Sequence, residues 1–193
     1  MAIKTVTVGS GGSDYEAGWK QLTIKNAKYD NYNGNKFIDI RFDDYPDNLN
    51  ARVYETINKT TKEEFRISSW FRFANAGILE VIDNGSGKPV VKYDDDVENL
   101  SGKEINVLFY RETTGDGEYA RIWREPAPIM TETDTGSSEI PYTEKDVSFW
   151  KTRSERSLNS WQAKDGQTET SVNAITQSVT DIPTGVTVER APF

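Results

Sequence analysis

The stretch that decides the fold is Glu104 to Arg124, EINVLFYRETTGDGEYARIWR. In its first half Ile105, Val107 and Phe109 alternate with Asn106, Leu108 and Tyr110, a period of two that belongs to an extended strand. The second half repeats the alternation, with Ala120 and Ile122 set against Tyr119, Arg121 and Trp123. Between the halves, Thr113 to Glu118 holds two glycines around an aspartate, which is a β-hairpin signal. With Val107 and Ile122 turned to a core, the opposite face shows Tyr110, Tyr119, Arg121 and Trp123, large flat rings interleaved with a guanidinium.

Upstream, the same period marks three more strands. Trp19 to Ala27 sets Leu22 and Ile24 against Gln21, Thr23 and Lys25. After a turn cluster at Asn31 to Asn35, centred on Gly34, Lys36 to Phe42 turns Ile38, Ile40 and Phe42 inward and Phe37, Asp39 and Arg41 outward. Ala51 to Ile57 places Arg52, Tyr54 and Thr56 outward, and its weak inward side suits an edge strand. From Lys62 to Ala76 the period changes: Ile67, Trp70, Phe71, Ala74 and Ile78 fall on one helical face. Thr60 or Thr61 can cap this helix, Glu63 and Glu64 suit the positive end of its dipole, and Gly77 suits its C-terminus. Trp70 and Phe71 are expected to plug the end of the sheet. Residues 79–103 read as turns, with DNGSGK at Asp83 to Lys88 and a brief extension at Val90 and Val91; the run Asp94, Asp95, Asp96 reads as a solvated loop, without the glycine and distal glutamate of a calcium loop.

Three strands, a helix and two strands is the element order of an OB-fold, a small five-stranded antiparallel barrel with one helix between its third and fourth strands. The expected organisation is a glycine-rich arm over residues 1–18, the OB-fold domain over 19–130, and a linker with a largely disordered tail over 131–193. Mean hydropathy of -0.70 and a hydrophobic fraction of 35% are low for one compact unit, which also points to a segment outside the core. Within that tail only Lys151 to Trp161 has the makings of a short helix.

Composition narrows the chemistry. The chain has no cysteine and no histidine, so thiolate and histidine metal sites, Ser-His-Asp triads and Cys-His pairs are out. The carboxylate pair Asp43 and Asp44 sits in a turn beside Pro46 with no second acid placed opposite it, and no enzyme activity, metal or cofactor is expected. A net charge of -8 argues against holding DNA by bulk positive charge, but leaves room for a local cationic groove. No apolar run approaches the roughly 18 residues that span a bilayer, and MAIKTVTVGS has no signal-peptide core, so a soluble, unexported protein is expected.

The glycine-rich arm, the aromatic-led first strand, the helix ending in ANAG, LSGKEINVLFYRE and GEYARIWREPAP together resemble phage-encoded single-stranded DNA-binding proteins with an OB-fold, over about residues 10–128. The resemblance implies non-specific strand binding in DNA replication or recombination, in the cytoplasm of an infected host. It also implies a C-terminal tail ending in phenylalanine, here Pro192 and Phe193, that recruits replication or recombination enzymes. The tip departs from the familiar one: TVERAPF is not densely acidic. Read from the alternation, the strand-binding face is Phe37, Arg41, Arg52, Tyr54, Tyr110, Tyr119, Arg121 and Trp123, since bases stack on rings and arginine serves both ring and phosphate. Two other classes fit the same pattern: a phage tail or neck component whose C-terminal arm threads along neighbours, and a carbohydrate-binding sandwich using exposed Trp and Tyr.

Overall fold

The computed structural model describes residues 15–82, 85, 90–115, 117–131 and 139–164. It is mainly β. In chain order the elements are β1 (Gly18–Tyr32), β2 (Asn35–Phe42), β3 (Ala51–Tyr54), α1 (Arg66–Phe73), β4 (Ile78–Ile82), β5 (Val90–Tyr93), a 3-10 turn (Val97–Leu100), β6 (Glu104–Thr114), β7 (Gly117–Ile122) and α2 (Glu144–Lys164). Five strands form one antiparallel sheet in the order β3-β2-β1-β6-β7, and β4 with β5 makes a separate hairpin in the stretch expected to be mostly turns.

The long first strand organises the sheet, its second half pairing with β2 and its first half with β6. The β1–β2 turn is Asn33–Gly34, both at positive φ (51° and 80°), as a two-residue hairpin loop that follows the right-handed strand twist requires. Between Ile24 and Asn26 the register shifts, and the extra residue reverses which parity faces the core: Leu22 and Ile24 point inward before it, Ala27 and Tyr29 after it. Against them pack Ile38, Ile40, Phe42, Val53, Ile105, Val107, Phe109, Ala120 and Ile122, the inward sets expected from the period of two.

Trp70 and Phe71 of α1 are fully buried in this core, as expected, and the Trp70 indole N–H donates to the Arg124 carbonyl at 3.0 Å. The sheet is open rather than a closed barrel: β3 and β7 are its two edges. Beyond β7 the chain turns back toward β6, where Ala127, between two prolines, exchanges backbone hydrogen bonds with Asn106, and the Asn106 amide donates to the Pro128 carbonyl at 2.7 Å.

Helix α1 is shorter than the 62–76 expected; Glu64 holds its N-terminal end, where its charge is expected to suit the dipole, while Asn75 rather than Gly77 takes the C-terminal position. Glu64, rather than Thr60 or Thr61, accepts from the amides of Arg66 and Ile67 (2.8 and 2.9 Å) and of Ser68 (2.8 Å). At the other end Asn75, at φ +49°, takes the left-handed position, with its amide bonded to the Arg72 carbonyl and that of Ala76 to the Phe71 carbonyl. The Asn75 side chain then clamps a later segment: Oδ1 accepts from the Ile140 amide at 2.8 Å and Nδ2 donates to the Ile140 carbonyl at 3.2 Å.

That clamp begins a correction to the expected tail. Residues 139–164 order onto the domain: Ile140 and Tyr142 join the core, and α2 follows from a reciprocal cap in which Thr143 Oγ1 donates to Asp146 Oδ2 at 2.6 Å while the Asp146 amide donates to Thr143 Oγ1 at 3.3 Å. The N-terminal glycine arm up to residue 14, most of DNGSGK, the linker over 132–138 and the chain from 165 lie outside the described residues.

Burial raises the Glu64 pKa, but the hydrogen bonds from Ser68, Ile67 and Thr56 outweigh it, so the carboxyl sits below its ordinary 4.5. Such a group stabilises the fold fully above its unfolded pKa, and that contribution is lost as pH falls through the folded value. Glu64→Gln is expected to cost about 1 kcal/mol at neutral pH and to flatten the decline in stability between about pH 5 and 3, followed by urea denaturation. Equal pH slopes in the two proteins would show that Glu64 is not the group titrating.

Candidate nucleic-acid interface

The ligand-facing residues expected from the alternation fall into two groups at opposite edges of the open sheet, and part of each group is not at the surface. At the first edge, β2 and β3 pair Phe37 with Tyr54 and Asp39 with Arg52. The Phe37 and Tyr54 rings lie 5.3 Å apart, and the Arg52 guanidinium lies 4.4 Å over the Phe37 ring. Arg52 Nε and Nη2 each donate to the Asp39 carboxylate at 2.8 Å, a bidentate pair that holds the guanidinium pKa above its ordinary value. Asn50 Nδ2 donates to the same carboxylate at 2.9 Å.

Phe37 points outward, as its position in β2 requires, yet is only 3% exposed, because Arg52 and Tyr54 cover it. Tyr54 is 36% exposed and forms the accessible ring of the group. Further along the same face of β2, Arg41 is half-buried, and its Nε has no hydrogen-bond partner. Lys28 of β1, paired with Asp39, adds an exposed ammonium that the sequence reading did not single out.

At the other edge, β6 and β7 pair Tyr110 with Arg121 and Glu112 with Tyr119. Arg121 Nε donates to Glu112 at 2.8 Å, and its guanidinium stands 5.8 Å from the Tyr119 ring. Both Tyr119 and Arg121 are exposed. Trp123 is not: it is 2% exposed, its ring 5.6 Å from Trp161 and 5.9 Å from Tyr110, in a cluster with Leu108 and Leu158. Tyr110 also meets Trp161 edge-on at 5.9 Å, and burial first, with Glu112 second, pushes its hydroxyl up to about 12.

The expectation that Tyr110 and Trp123 stand on an open wall is therefore corrected. They form a second, outer core beneath α2. A period of two separates one face of a strand from the other, but cannot say whether the outward face meets water or another layer. The covering layer is held by polar contacts at its rim. Trp19 Nε1 donates to Glu155 at 2.7 Å, Ser154 Oγ to the Glu125 carbonyl at 2.7 Å, and Ser157 Oγ to the Glu125 carboxylate at 2.9 Å.

What remains available for a ligand on the sheet is Tyr54, Arg52 and Lys28 over a buried Phe37 at one edge, and Tyr119 with Arg121 at the other. Among the described residues no acidic cluster is arranged to hold a metal ion; Asp94 and Asp96 accept instead from the amides of Asp96 and Glu98, shaping the turn at Val97. Pro192 and Phe193 lie outside the described residues. The chain matches no protein-family model, and no curated protein matches it.

Because Trp123 is sealed, Trp123→Ala is expected to destabilise the fold by about 3 to 5 kcal/mol, measured by urea denaturation, rather than to act on a ligand alone. Trp161→Ala opens the same cluster from the helix side. Spectrophotometric titration should then show the Tyr110 hydroxyl moving from about 12 toward its ordinary 10.0, and an unchanged titration would mean that α2 does not cover this ring.

Proposed function

We propose that the protein binds single-stranded nucleic acid without sequence specificity and without catalysis, as the resemblance to phage-encoded strand-binding proteins of DNA replication and recombination implies. The observation that carries this reading is the Phe37–Tyr54–Arg52 group: a ring accessible from solvent, seated on a second ring and flanked by a stacked guanidinium, on the outward face of β2 and β3. Base stacking on such a ring contributes roughly 1 to 3 kcal/mol per base and is tolerant of sequence, because every base has a π-face.

The strand order supports an OB-type architecture. Three strands, a helix and a β-ribbon returning beside the first strand keep that element order with the β4–β5 hairpin inserted after the helix, in a sheet open between β3 and β7. In that architecture the face of the second and third strands receives oligonucleotides, the face that carries this group. Arg52 donates two hydrogen bonds to Asp39, whose side chain is only 15% exposed, but its own side chain is 49% exposed, so the guanidinium can offer a phosphate its remaining N–H donors without giving up that pair. Lys28 stands beside it as a second phosphate contact.

Binding to oligo(dT), followed by fluorescence anisotropy at low salt, is expected to weaken about 5- to 100-fold in Tyr54→Ala, with a smaller loss in Arg52→Ala. Affinity should fall as salt rises, and the salt slope should be shallower in Arg52→Ala because one phosphate contact has gone. If both variants bind oligo(dT) like the parent protein, this face is not the site.

A further inference from the structure

Arginines stacked on rings recur where α1 meets α2, and among the described residues none of them is in an ion pair. A cleft of about 70 Å³ lies between the helices, lined among others by Phe65, Arg66, Ser69, Trp150, Arg153 and Glu125. Arg66 sits 5.7 Å from the Phe65 ring and Arg153 5.1 Å from Trp150, while Arg72 packs against Phe73 and Trp150 at 4.8 and 5.3 Å. Stacking fixes each guanidinium plane and leaves its N–H edge free to donate.

Two of those edges lack acceptors at Nε. The Nε atoms of Arg66 and Arg72 are buried and have no hydrogen-bond partner, and the ion pairs among the described residues, Lys25–Asp47, Arg52–Asp39, Lys92–Glu80 and Arg121–Glu112, involve none of Arg66, Arg72 and Arg153. Two of the cleft's neutral donors are already used: Ser69 Oγ donates to the Arg66 carbonyl and Ser154 Oγ to the Glu125 carbonyl, each at 2.7 Å. Its one carboxylate, Glu125, accepts from Ser157. The amides at the start of α1 are taken by Glu64. A buried donor left unpaired is costly enough to require an explanation.

We infer that the α1–α2 cleft is an oxyanion site that takes a single phosphate group, with Arg66 and Arg153 as its direct ligands and Arg72 supplying positive charge from behind the Trp150 ring. A tetrahedral oxyanion offers the acceptors that the guanidinium edges lack, and charge-assisted hydrogen bonds of this kind are the strong ones. The cleft volume of about 70 Å³ is several times the roughly 10 to 15 Å³ that one water needs on the same measure, enough for a small tetrahedral oxyanion. The phosphate can come from a polynucleotide backbone or from solution; the site does not depend on the strand-binding reading of β2 and β3.

The test uses the full chain and follows the arginine Nε–Hε and Trp150 indole resonances by NMR while inorganic phosphate is added, with sodium chloride at matched ionic strength as the control. Saturable shifts of Arg66 and Arg72 with phosphate and not with chloride are expected. Arg66→Gln and, separately, the solvent-exposed Arg153→Gln should each weaken phosphate binding about tenfold, the loss of one charge-assisted donor. Shifts that chloride reproduces, or that both variants retain unchanged, would overturn the proposal. A parallel titration with oligo(dT) separates the sources. Movement of the same resonances, together with weaker oligonucleotide binding by Arg66→Gln, identifies backbone phosphate; movement with inorganic phosphate alone identifies a free anion. Tyr54→Ala should keep the phosphate response in either case, so failure of the β2–β3 face and failure of this cleft are read separately.

Discussion

The sheet of this protein carries rings on both of its faces, and neither set can be left to water. On the inner face Trp70 and Phe71 of α1 close over the aliphatic side chains of β1, β2 and β6. On the outer face Trp19, Leu108, Tyr110 and Trp123 form an apolar patch that α2 covers with Leu158 and Trp161. Burial of aromatic side chains of this size dominates local energetics, so the second helix is as much a part of the domain as the first. Its position also decides which outward residues can meet a ligand: those under α2 serve packing, while Lys28, Arg52 and Tyr54 on one side and Tyr119 and Arg121 on the other stay accessible.

Much of the β architecture is legible in the residues themselves. Alternating Ile and Val in β2 and β6, the Asn33–Gly34 turn and the weak inward side of β3 each have one physical reading, and the sheet follows them. The candidate site is less legible, because an exposed ring and a ring awaiting a covering layer look alike in a pattern of period two. The covering layer did leave a signal. Val147, Trp150, Ser154, Leu158 and Trp161 recur at spacings of three and four behind the Thr143–Asp146 cap, a helical stripe diluted by the polar residues around it. The β4–β5 hairpin was obscured for another reason: its strands are short, Leu79, Val81 and Val90 are exposed, and Ile78, Val91 and Tyr93 pack only partly on the core, so the alternation is too brief to read.

One device, a guanidinium laid on an aromatic ring, recurs across the molecule, and its chemistry differs by what meets its edge. At Arg52 and at Arg121 a carboxylate from the neighbouring strand completes the arrangement. Between α1 and α2 none does, although the protein as a whole carries more acids than bases, 31 against 23. Abundant carboxylates thus coexist with a local deficit of them, which makes the placement of charge more informative than its total.

The double duty of β1 bears on how the molecule assembles. Its second half needs only the Asn33–Gly34 turn to meet β2, a closure over a few residues that isolated hairpins achieve in roughly 1 to 10 μs. Its first half waits for β6, and joining Thr23 to Glu104 means closing a loop that contains β2, β3, α1 and the β4–β5 hairpin, at a far larger entropic cost. The bulge near Lys25 divides these two regimes, so the strand behaves as an early local ribbon on one side and a late, long-range seam on the other. Until that seam closes, Trp19 and Leu108 are not yet neighbours, and α2 has no surface on which to settle.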